Sequence, residues 1–472
     1  MDLPSTPLEE LPKRLAVLRA QAERAPRTYA ERREDLYDLR AAVKLNLPEL
    51  VRAMDADFGC RSRHESLVSD GMTVLSEIDH LIAHLKKWMR PRRRWISPLF
   101  WPATAEVRYQ ALGVVGVISP WNYPVNLALV PLATALAAGN AVYLKPSEHT
   151  PRTSQALFDL LRSIYPRNRV EVALGGAEVA AAFAGLPFDH LFFTGSTAVG
   201  RKVMAAAAPN LTPVTLELGG KSPVILAPGY PIERAAARIA SGKFINAGQT
   251  CIAPDYLLVP QDQVEPLVAA LKAEARARYP DISMGPDYTR IINRAQYQRL
   301  VDWREEARAR GARVEPLIEV EPELADSQRL IAPTLVLDAP EDCRLMQEEI
   351  FGPLLPIVPY REFSEAIDYV KRRDRPLALY LFDHESRRIE HLLEHTIAGS
   401  VAINDTVLQF AQNNLPFGGI GPSGMGSYHG EAGFRTFSKE KPVFRQARWS
   451  GMALFKPPYR GLANRLVRFL TR

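Results

Sequence analysis

A cysteine and a glutamate lie in segments whose composition suits covalent chemistry on a carbonyl group. Cys251 follows an apolar, helix-like segment, and residues 253–254 (Ala-Pro) end that segment directly afterwards. Glu217 lies 34 residues upstream beside paired glycines, in residues 216–221 (LELGGK). A lone cysteine is more often an inert, buried side chain, but a thiol nucleophile and a carboxylate base together suit acyl transfer through a thioester. The spacing alone does not bring the two side chains together.

Two loops indicate a nucleotide ligand. In residues 192–200 (FFTGSTAVG) a strand ends in a Gly-Ser turn and a helix begins, and the free N–H groups of such a junction bind phosphate. The segment is not the G-x-G-x-x-G dinucleotide fingerprint. Lys145 and Glu148, in residues 144–148 (LKPSE), follow a neighbouring strand at the edge where open α/β sheets bind ligands, and are suitably placed to meet ribose hydroxyls. Each loop alone is an ordinary turn, whereas the two together favour a dinucleotide.

A third polar residue, Asn122, follows another predicted strand in residues 120–124 (PWNYP). Asparagine between an aromatic residue and Tyr-Pro is compatible with simple turn chemistry. Its side-chain amide could equally donate a hydrogen bond to an oxyanion that develops during a reaction. The sequence leaves both interpretations open.

Strands that alternate with helices must position these loops. From residue 113 onward, short apolar strands and helices alternate, which predicts a doubly wound parallel sheet, and a second α/β set begins after residue 220. The first 90 residues instead carry helical apolar stripes. Residues 95–109 are rich in proline and aromatics and end in an alternating strand. We interpret this segment as a protruding strand or hairpin that pairs with another subunit.

Composition excludes several classes of protein. The 472 residues are 47% hydrophobic and 24% charged, as in ordinary globular proteins of two or three domains. Three cysteines form no disulfide framework, which predicts a cytoplasmic protein, and neither a signal peptide nor a membrane span is expected. The net charge of +6 is modest, and the basic run at residues 90–94 lacks a nucleic-acid-binding motif. For the basic amphipathic segment 462–470, packing on a subunit is favoured over weak contact with a membrane surface.

Four motifs, taken together, resemble the aldehyde dehydrogenase superfamily across nearly the whole chain. They are residues 120–122 (PWN), 216–221 (LELGGK), 248–251 (GQTC) and 348–353 (EEIFGP). The chain is most similar to the class 3 branch, and residues 416–430 are similar to the bacterial coniferyl aldehyde dehydrogenases within it. The resemblance implies an α/β fold with a Rossmann-type cofactor domain, a second α/β catalytic domain and a small β bridging element. It also implies a homodimer.

The resemblance places domain boundaries along the chain. They are a cofactor domain 1–217 with bridging strands at 91–109, a catalytic thiol domain 218–403, a return to the cofactor domain and active-site loop 404–430, a bridging strand 431–447, and a basic tail 448–472.

The roles of the family's catalytic residues are carried onto matching positions. Cys251 would attack the aldehyde as a thiolate, and the Asn122 amide with the Cys251 N–H would hold the oxyanion. Hydride would pass to the nicotinamide, and Glu217 would activate the water that hydrolyses the thioester. No metal is expected. The implied cofactor-binding residues are Trp121, Lys145, Ser147, Glu148, Gly195, Ser196, Gly200, Glu349 and Phe351.

The expected cofactor is NAD, with NADP possible, because the Glu148 carboxylate accepts from ribose hydroxyls but repels a 2′-phosphate. The expected substrate is a hydrophobic aldehyde, either aromatic, such as coniferyl aldehyde, or medium-chain aliphatic, because Tyr123, Phe244, Ile245 and Phe410 suggest an apolar funnel.

Two alternative functions remain. In a CoA-acylating dehydrogenase, CoA would resolve the thioester, but Glu217 argues against this because such an enzyme needs no water-activating base. A non-catalytic binding protein on the same fold is disfavoured by the intact Cys251, Glu217 and Asn122.

Overall fold

A computed structural model describes residues 5–24, 26–450, 457, 459 and 461–471. The described residues up to Trp88 are mainly helical, as the apolar stripes predict. Thr28 and Glu31 form a capping box at the start of the long second helix, and Leu36 and Leu39 on its predicted stripe are fully buried. A π-helical turn, Leu67–Met72, joins the third and fourth helices. These helices are α1 (Glu10–Arg24), α2 (Tyr29–Phe58), α3 (Arg63–Ser66) and α4 (Thr73–Trp88).

Two antiparallel strands follow, β1 (Arg92–Arg94) and β2 (Thr104–Ala111), with the 3-10 turn Pro98–Phe100 between them. All eight residues of β2 are partly or fully exposed, as expected for a strand that lies outside the main core. The segment predicted to protrude therefore forms a hairpin.

The first large sheet is parallel through five strands in the order β7-β6-β3-β4-β5. We call it the cofactor sheet. The chain leaves β3 toward β5 and then returns to the other side of β3, so the ends of β3 and β6 border the crevice where such sheets bind ligands. Its elements are β3 (Val114–Ile118), α5 (Asn126–Ala137), β4 (Ala141–Lys145), α6 (Pro151–Ile164), β5 (Val170–Val172), α7 (Ala177–Ala184), β6 (His190–Thr194), α8 (Thr197–Ala207) and β7 (Val214–Glu217).

The second large sheet, which we call the thiol-domain sheet, has the order β10-β11-β12-β9-β8-β13-β14, and only β10 runs antiparallel to its neighbour. Its elements are β8 (Pro223–Leu226), α9 (Ile232–Phe244), β9 (Tyr256–Pro260), α10 (Val264–Arg278), α11 (Arg294–Ala309), β10 (Arg313–Pro316), α12 (Pro322–Gln328), β11 (Thr334–Leu337), α13 (Arg344–Gln347), β12 (Leu354–Tyr360), α14 (Phe363–Lys371), β13 (Ala378–Phe382), α15 (Ser386–His395) and β14 (Ser400–Ile403).

The last part of the chain pairs with the cofactor sheet and with the β1-β2 hairpin. The strand β15 (Gly424–Met425) pairs antiparallel with β7, next to Glu217. After α16 (Gly430–Thr436), the strand β16 (Ser438–Arg445) pairs with β2 along its whole length, which gives a three-stranded antiparallel sheet in the order β1-β2-β16.

A final helix, α17 (Leu462–Leu470), lies within the segment predicted as a basic tail. Residues 451–456, 458, 460 and 472 of that segment lie outside the described residues, as do residues 1–4 and 25. None of the helices in the described part of the chain is long and apolar enough to cross a membrane. The α/β architecture with two sheet-containing units confirms the predicted fold class.

Candidate active site

The loop that carries Cys251 leaves helix α9 through an unusual backbone. Asn246 and Ala247 both adopt left-handed conformations, with φ of 51° at each residue, which is uncommon outside glycine. Polar contacts hold this turn in place. The Asn246 amide donates to the carbonyl of Gln249 at 3.1 Å, and the Gln249 amide donates back to the Asn246 carbonyl at 2.9 Å. The turn therefore presents Cys251 beyond the end of a buried helix instead of within it.

Further contacts fix the Gln249 side chain from a second segment. Its amide group donates to the Arg290 carbonyl at 3.1 Å, and its side-chain oxygen accepts from the Ile292 N–H at 3.0 Å. All hydrogen-bonding groups of this buried side chain are thus directed to main-chain partners. A buried amide that is fully satisfied in this way rigidifies its surroundings.

The Cys251 thiol is protonated in this arrangement. Burial, followed by the carboxylates of Glu349 and Glu217, raises the pKa of Cys251 to about 12, although the N–H groups of Cys251 and Ile252 favour the thiolate. Glu349 and Glu217 are therefore the two carboxylates whose charge acts on the thiol. The two N–H groups are also the donors that an oxyanion formed next to the sulfur would find.

Glu217 ends strand β7 and is 2% exposed. Neither oxygen of its carboxyl group has a hydrogen-bond partner among the described residues. Burial raises the pKa of Glu217 well above its usual range, because no nearby positive charge or hydrogen-bond donor offsets the loss of water. Such an orphaned buried carboxyl is costly for folding and calls for an explanation in function.

Asn122 reaches the thiol loop from the end of strand β3. Its side-chain amide is buried and donates to the Gln249 carbonyl at 3.2 Å. The next residue, Tyr123, shares a hydrogen bond of 2.6 Å with the Thr250 hydroxyl. The amide group has a second N–H, and two successive contacts connect the loop after β3 to the two residues that precede Cys251. The structure therefore brings Asn122 and the cysteine loop together.

The predicted phosphate loop lies between β6 and α8. Ser196 caps α8, because its hydroxyl accepts from the Val199 N–H at 3.4 Å. The N–H of Gly195 donates to the carbonyl of Glu217 at 3.0 Å. A side chain at Gly200 would lie 2.6 Å from Leu218, so this glycine permits close packing of α8. The exposed N-terminal turn of an 11-residue helix fits an anionic pyrophosphate group.

Lys145 and Glu148 form an ion pair with 2.8 Å between the ammonium nitrogen and the carboxylate oxygen. Burial would raise the pKa of Glu148, but the Lys145 ammonium outweighs this effect and keeps the pKa below its usual value. Glu148 is therefore ionised and remains partly exposed at the sheet edge. Ser147 accepts from the His149 N–H at 3.2 Å, so its hydroxyl maintains the turn.

Glu349, in the segment between α13 and β12, packs directly against the glycine pair of residues 219–220. A Cβ atom on Gly219 would lie 2.0 Å from a Glu349 carboxyl oxygen, and the Gly220 N–H donates to the same carboxyl group. Burial, and then the Asp255 carboxylate, raises the pKa of Glu349 to about 8. One oxygen of this carboxyl is buried without a partner in the described structure.

Two aromatic residues connect the cofactor sheet to the thiol-domain sheet. Trp121, after β3, and Phe351, before β12, make an edge-to-face contact with 5.3 Å between their ring centroids. The contact lies next to the loops of Asn122 and Glu349. The structure thus brings Trp121 and Phe351, two of the residues predicted to bind the cofactor, into contact.

The predicted substrate residues have unequal surroundings. Phe244 is 1% exposed and belongs to the main core, and Ile245 is partly buried. Phe410 contacts the rings of Phe417 and His429, each at 4.8 Å between centroids. Burial lowers the pKa of His429 to about 3, so its ring is neutral and packs as an aromatic group.

Sequence reasoning missed the polar residues behind the thiol loop. Arg61 donates to the Asn122 carbonyl at 2.7 Å, and Asn246 donates to the same oxygen at 3.0 Å. No motif marks Arg61, which lies 61 positions before its partner. For Asn246, its position in the apolar run before Cys251 was the available signal. No group of three or more His, Cys, Asp or Glu residues in the described ranges could hold a metal ion.

A Rossmann-type sheet beside a second α/β unit with a partly exposed thiol, Cys251, after its first helix is typical of one class: oxidoreductases that act on a carbonyl through cysteine. The chain belongs to the aldehyde dehydrogenase family, whose family model matches residues 15–443. It is therefore an enzyme that oxidises an aldehyde to a carboxylic acid with a nicotinamide cofactor. This confirms the family predicted from the four motifs.

Similar proteins support this membership. A protein of Pseudomonas aeruginosa named "Probable coniferyl aldehyde dehydrogenase" is 50% identical over 89% of this chain and 87% of its own length. The coniferyl aldehyde dehydrogenase of Pseudomonas sp. (strain HR199) is 45% identical over 93% of this chain and 88% of its own length. The solved structure of the substrate-bound AldH of Staphylococcus aureus superposes with a TM-score of 0.92, at 36% identity, over 98% of this chain and 99% of that one.

Proposed function

We propose that the chain oxidises a hydrophobic aldehyde, aromatic such as coniferyl aldehyde or medium-chain aliphatic, with Cys251 as nucleophile, Asn122 as oxyanion donor and Glu217 as base. The observation that carries the proposal is the Glu217 carboxyl, which is buried without a hydrogen-bond partner and lies close enough to Cys251 to raise its pKa. The substrate class is supported by the aromatic cluster around Phe410 and by the relatives named for coniferyl aldehyde.

The reaction begins when the Cys251 thiol, which is partly exposed, releases its proton to solvent water and its sulfur bonds to the aldehyde carbon. The carbonyl oxygen becomes an oxyanion, which accepts hydrogen bonds from the Asn122 amide and the Cys251 N–H. A nicotinamide, when bound, would supply the acceptor for the hydride that leaves the former aldehyde carbon, where the C=O bond forms again and a thioester to Cys251 results. Glu217, as a carboxylate, takes a proton from water, which attacks the thioester carbon. The carbon–sulfur bond then breaks and releases the acid.

The crevice residues support a nicotinamide dinucleotide in a defined orientation. Gly195 and Ser196, at the exposed start of α8, would bind the pyrophosphate. The ionised Glu148 would accept from a ribose hydroxyl and repel a 2′-phosphate, which favours NAD over NADP. Because Glu148 is paired with Lys145 at 2.8 Å, the repulsion is partly neutralised, so the preference is moderate and NADP remains a substrate. The ratio of kcat/KM for the two cofactors tests this point.

The remaining expected cofactor residues belong to the same proposal. Gly200 would allow close packing at the pyrophosphate, Ser147 would shape the ribose turn, and Glu349, Phe351 and Trp121 would border the nicotinamide end. Tyr123 and Ile245 would line the aldehyde funnel with Phe410, and Phe244, which is 1% exposed, would support the funnel from the core behind it.

We also propose the domain division given above and a homodimer in which the β1-β2-β16 sheet bridges the subunits. The exposure of most of β16 on a three-stranded sheet supports a partner for this element. A cytoplasmic location is supported by the three unpaired cysteines, Cys60, Cys251 and Cys343. The oligomeric state in solution, measured by light scattering, tests the dimer.

Substitution of the nucleophile tests the mechanism. Cys251→Ala should reduce kcat by roughly 10⁴-fold or more, because the covalent intermediate no longer forms. Binding of NAD, measured by calorimetry, should remain, because the adenosine and pyrophosphate contacts are intact. Retained dehydrogenase turnover by this variant would refute the proposed function.

A product analysis distinguishes hydrolysis from acyl transfer to CoA. With cinnamyl, benzyl and aliphatic aldehydes, the free acid should form at the same rate with and without CoA. Formation of an acyl-CoA at the expense of the acid would favour the acylating alternative. Highest kcat/KM for a short charged semialdehyde would contradict the proposed substrate class.

A further inference from the structure

A buried ion pair lies directly behind the loop of Asn122. The guanidinium of Arg61, between α2 and α3, is 2.9 Å from the carboxylate of Asp70, and both side chains are 0% exposed. Burying two charges costs several kcal/mol per ion before their attraction is counted, so a buried pair is by itself weak evidence of a stabilising role. The other hydrogen bonds of Arg61 and Asp70 show which segment of the main chain the pair fixes.

Both members of the pair bind the main chain of the segment after β3. Arg61 donates to the Asn122 carbonyl at 2.7 Å. Asp70 accepts from the N–H groups of Val125 at 3.1 Å and Asn126 at 2.9 Å. The segment that begins with the proposed oxyanion donor is therefore anchored at both ends by one ion pair.

Aromatic rings confine the guanidinium. Its central carbon lies 4.6 Å from the centroid of the Phe58 ring and 5.2 Å from that of Tyr123. Planar guanidinium groups stack on aromatic faces and present donors in a fixed fork. Tyr123 is the residue after Asn122, so this contact also fixes the loop.

The same carbonyl receives a second donor from the cysteine loop. The Asn246 side-chain amide donates to the Asn122 carbonyl at 3.0 Å. The Asn246 N–H in turn donates to Glu65 at 2.9 Å. The Asn122 carbonyl thus joins three segments: the segment between α2 and α3, the loop after β3 and the turn that carries the thiol.

We propose that Arg61 and Asn246 are positioning residues, which fix the Asn122 backbone so that its side-chain amide meets the oxyanion formed at Cys251. The inference rests on the proposed function, in which Asn122 is the oxyanion donor. A misplacement of about 1 Å at such a donor costs roughly 10²-fold in rate, which is the scale of effect that anchoring prevents. Neither residue contacts the substrate in this role.

The primary test is Arg61→Lys, which keeps the positive charge beside Asp70 but loses the fork that also reaches Asn122. We expect kcat to fall by about 10- to 100-fold, with an unchanged KM for the cofactor and a folded protein by circular dichroism. A double-mutant cycle then asks whether the loss acts through Asn122: in an Asn122→Ala background, Arg61→Lys should cause no further fall.

Arg169 provides a matched control, because this buried arginine also pairs with a carboxylate and an asparagine carbonyl. It lies 2.6 Å from Asp35 and donates to the Asn140 carbonyl at 2.6 Å, away from the cysteine loop. Arg169→Lys should lower the thermal midpoint and leave kcat unchanged.

If Arg61→Lys does not fold, Asn246→Gly decides the question, because glycine keeps the left-handed backbone at this position and removes the side-chain amide that donates to the carbonyls of Asn122 and Gln249. The Asn122→Ala background separates the part of the loss that acts through Asn122. We expect about a tenfold loss of kcat, again absent in the Asn122→Ala background. An unchanged kcat in the folded single variants, or a full additional loss in that background, overturns the positioning role. An Asn122→Ala variant with normal kcat would instead refute the oxyanion role in the proposed function, and the positioning role with it.

Discussion

The loop of Cys251 and the carboxyl groups that face it differ in how their polar atoms are satisfied. On the thiol side, the amide groups of Asn246 and Gln249 donate to main-chain carbonyls, and the Gln249 oxygen accepts from an N–H group. On the opposite side, both carboxyl oxygens of Glu217 and one of Glu349 are buried without a partner in the described structure. Of the two amide side chains only the Asn246 oxygen is buried without a partner in the described structure, whereas three of the four carboxyl oxygens are. We call the first the fixed side and the second the under-bonded side.

The difference matches what each side must do during the reaction. Donors that stabilise an oxyanion gain most when they are held in place before the charge develops. A base must instead gain and lose a proton, so strong fixed partners for its charged form would lower its pKa and its basicity. The fixed side therefore suits binding of the transition state, and the under-bonded side suits proton transfer.

The largest expected effect comes from removing the base. Glu217→Gln should reduce steady-state kcat by roughly 10³-fold, because water attacks the thioester without a proton acceptor. A rapid burst of about one NADH per subunit should remain, since the thioester still forms. Stopped-flow absorbance measures the burst, and hydroxylamine, which attacks thioesters without a base, should restore turnover. Loss of the burst would place Glu217 before the thioester.

The same substitution should change how kcat depends on pH. Glu217 acts as a base only as the carboxylate, and its raised pKa means that this form becomes populated only as pH rises. The wild-type kcat should therefore rise with pH. The small residual rate of Glu217→Gln should not follow this rise.

The stability of the folded protein should change with pH in the opposite direction. Because the folded pKa lies above the unfolded one, the contribution to stability is complete below the unfolded value and is lost as pH rises toward the folded value. Urea unfolding at several pH values should show that Glu217→Gln removes this loss.

Substitution of Asn122, the proposed oxyanion donor, tests the fixed side. Asn122→Ala should lower kcat by about 10²- to 10³-fold, the usual cost of losing one oxyanion donor. In contrast to Glu217→Gln, the burst itself should be slow, because formation of the thiohemiacetal and the hydride step are impaired. Stopped-flow burst rates separate the two variants. A normal burst rate in Asn122→Ala would contradict the division between the two sides.

Sequence patterns predicted the elements better than they predicted this division. Helix α9 (Ile232–Phe244) confirms the helix-like apolar segment predicted before Cys251, because its apolar and polar residues alternate with helical period. The edge strands β10 (Arg313–Pro316) and β14 (Ser400–Ile403) were not predicted, since partly exposed edge strands lack a continuous apolar run. The motifs indicated Cys251 and Glu217, but their approach depends on tertiary packing.

The polar contacts behind the site were beyond prediction for a related reason. Arg61 and Asn122 are 61 positions apart, and Asn122 and Asn246 are 124 positions apart. No local period links such residues, and in the left-handed turn of residues 246–248 the only glycine is Gly248, so the sequence does not indicate this backbone at Asn246 and Ala247. The contacts exist because three elements meet, and only the folded chain brings them together.

The smallest expected effect concerns Glu349, the second under-bonded carboxyl. Its pKa is raised to about 8, so at pH 7 most of it is neutral, and Glu349→Gln should change kcat by less than about threefold because glutamine keeps the acceptor for the Gly220 N–H. The thiol should respond more clearly. The Glu349 carboxylate raises the pKa of Cys251, so the variant should react with iodoacetamide at lower pH than the wild type does. An unchanged alkylation profile would show that the Glu349 charge does not reach the sulfur, and the under-bonded side would then consist of Glu217 alone.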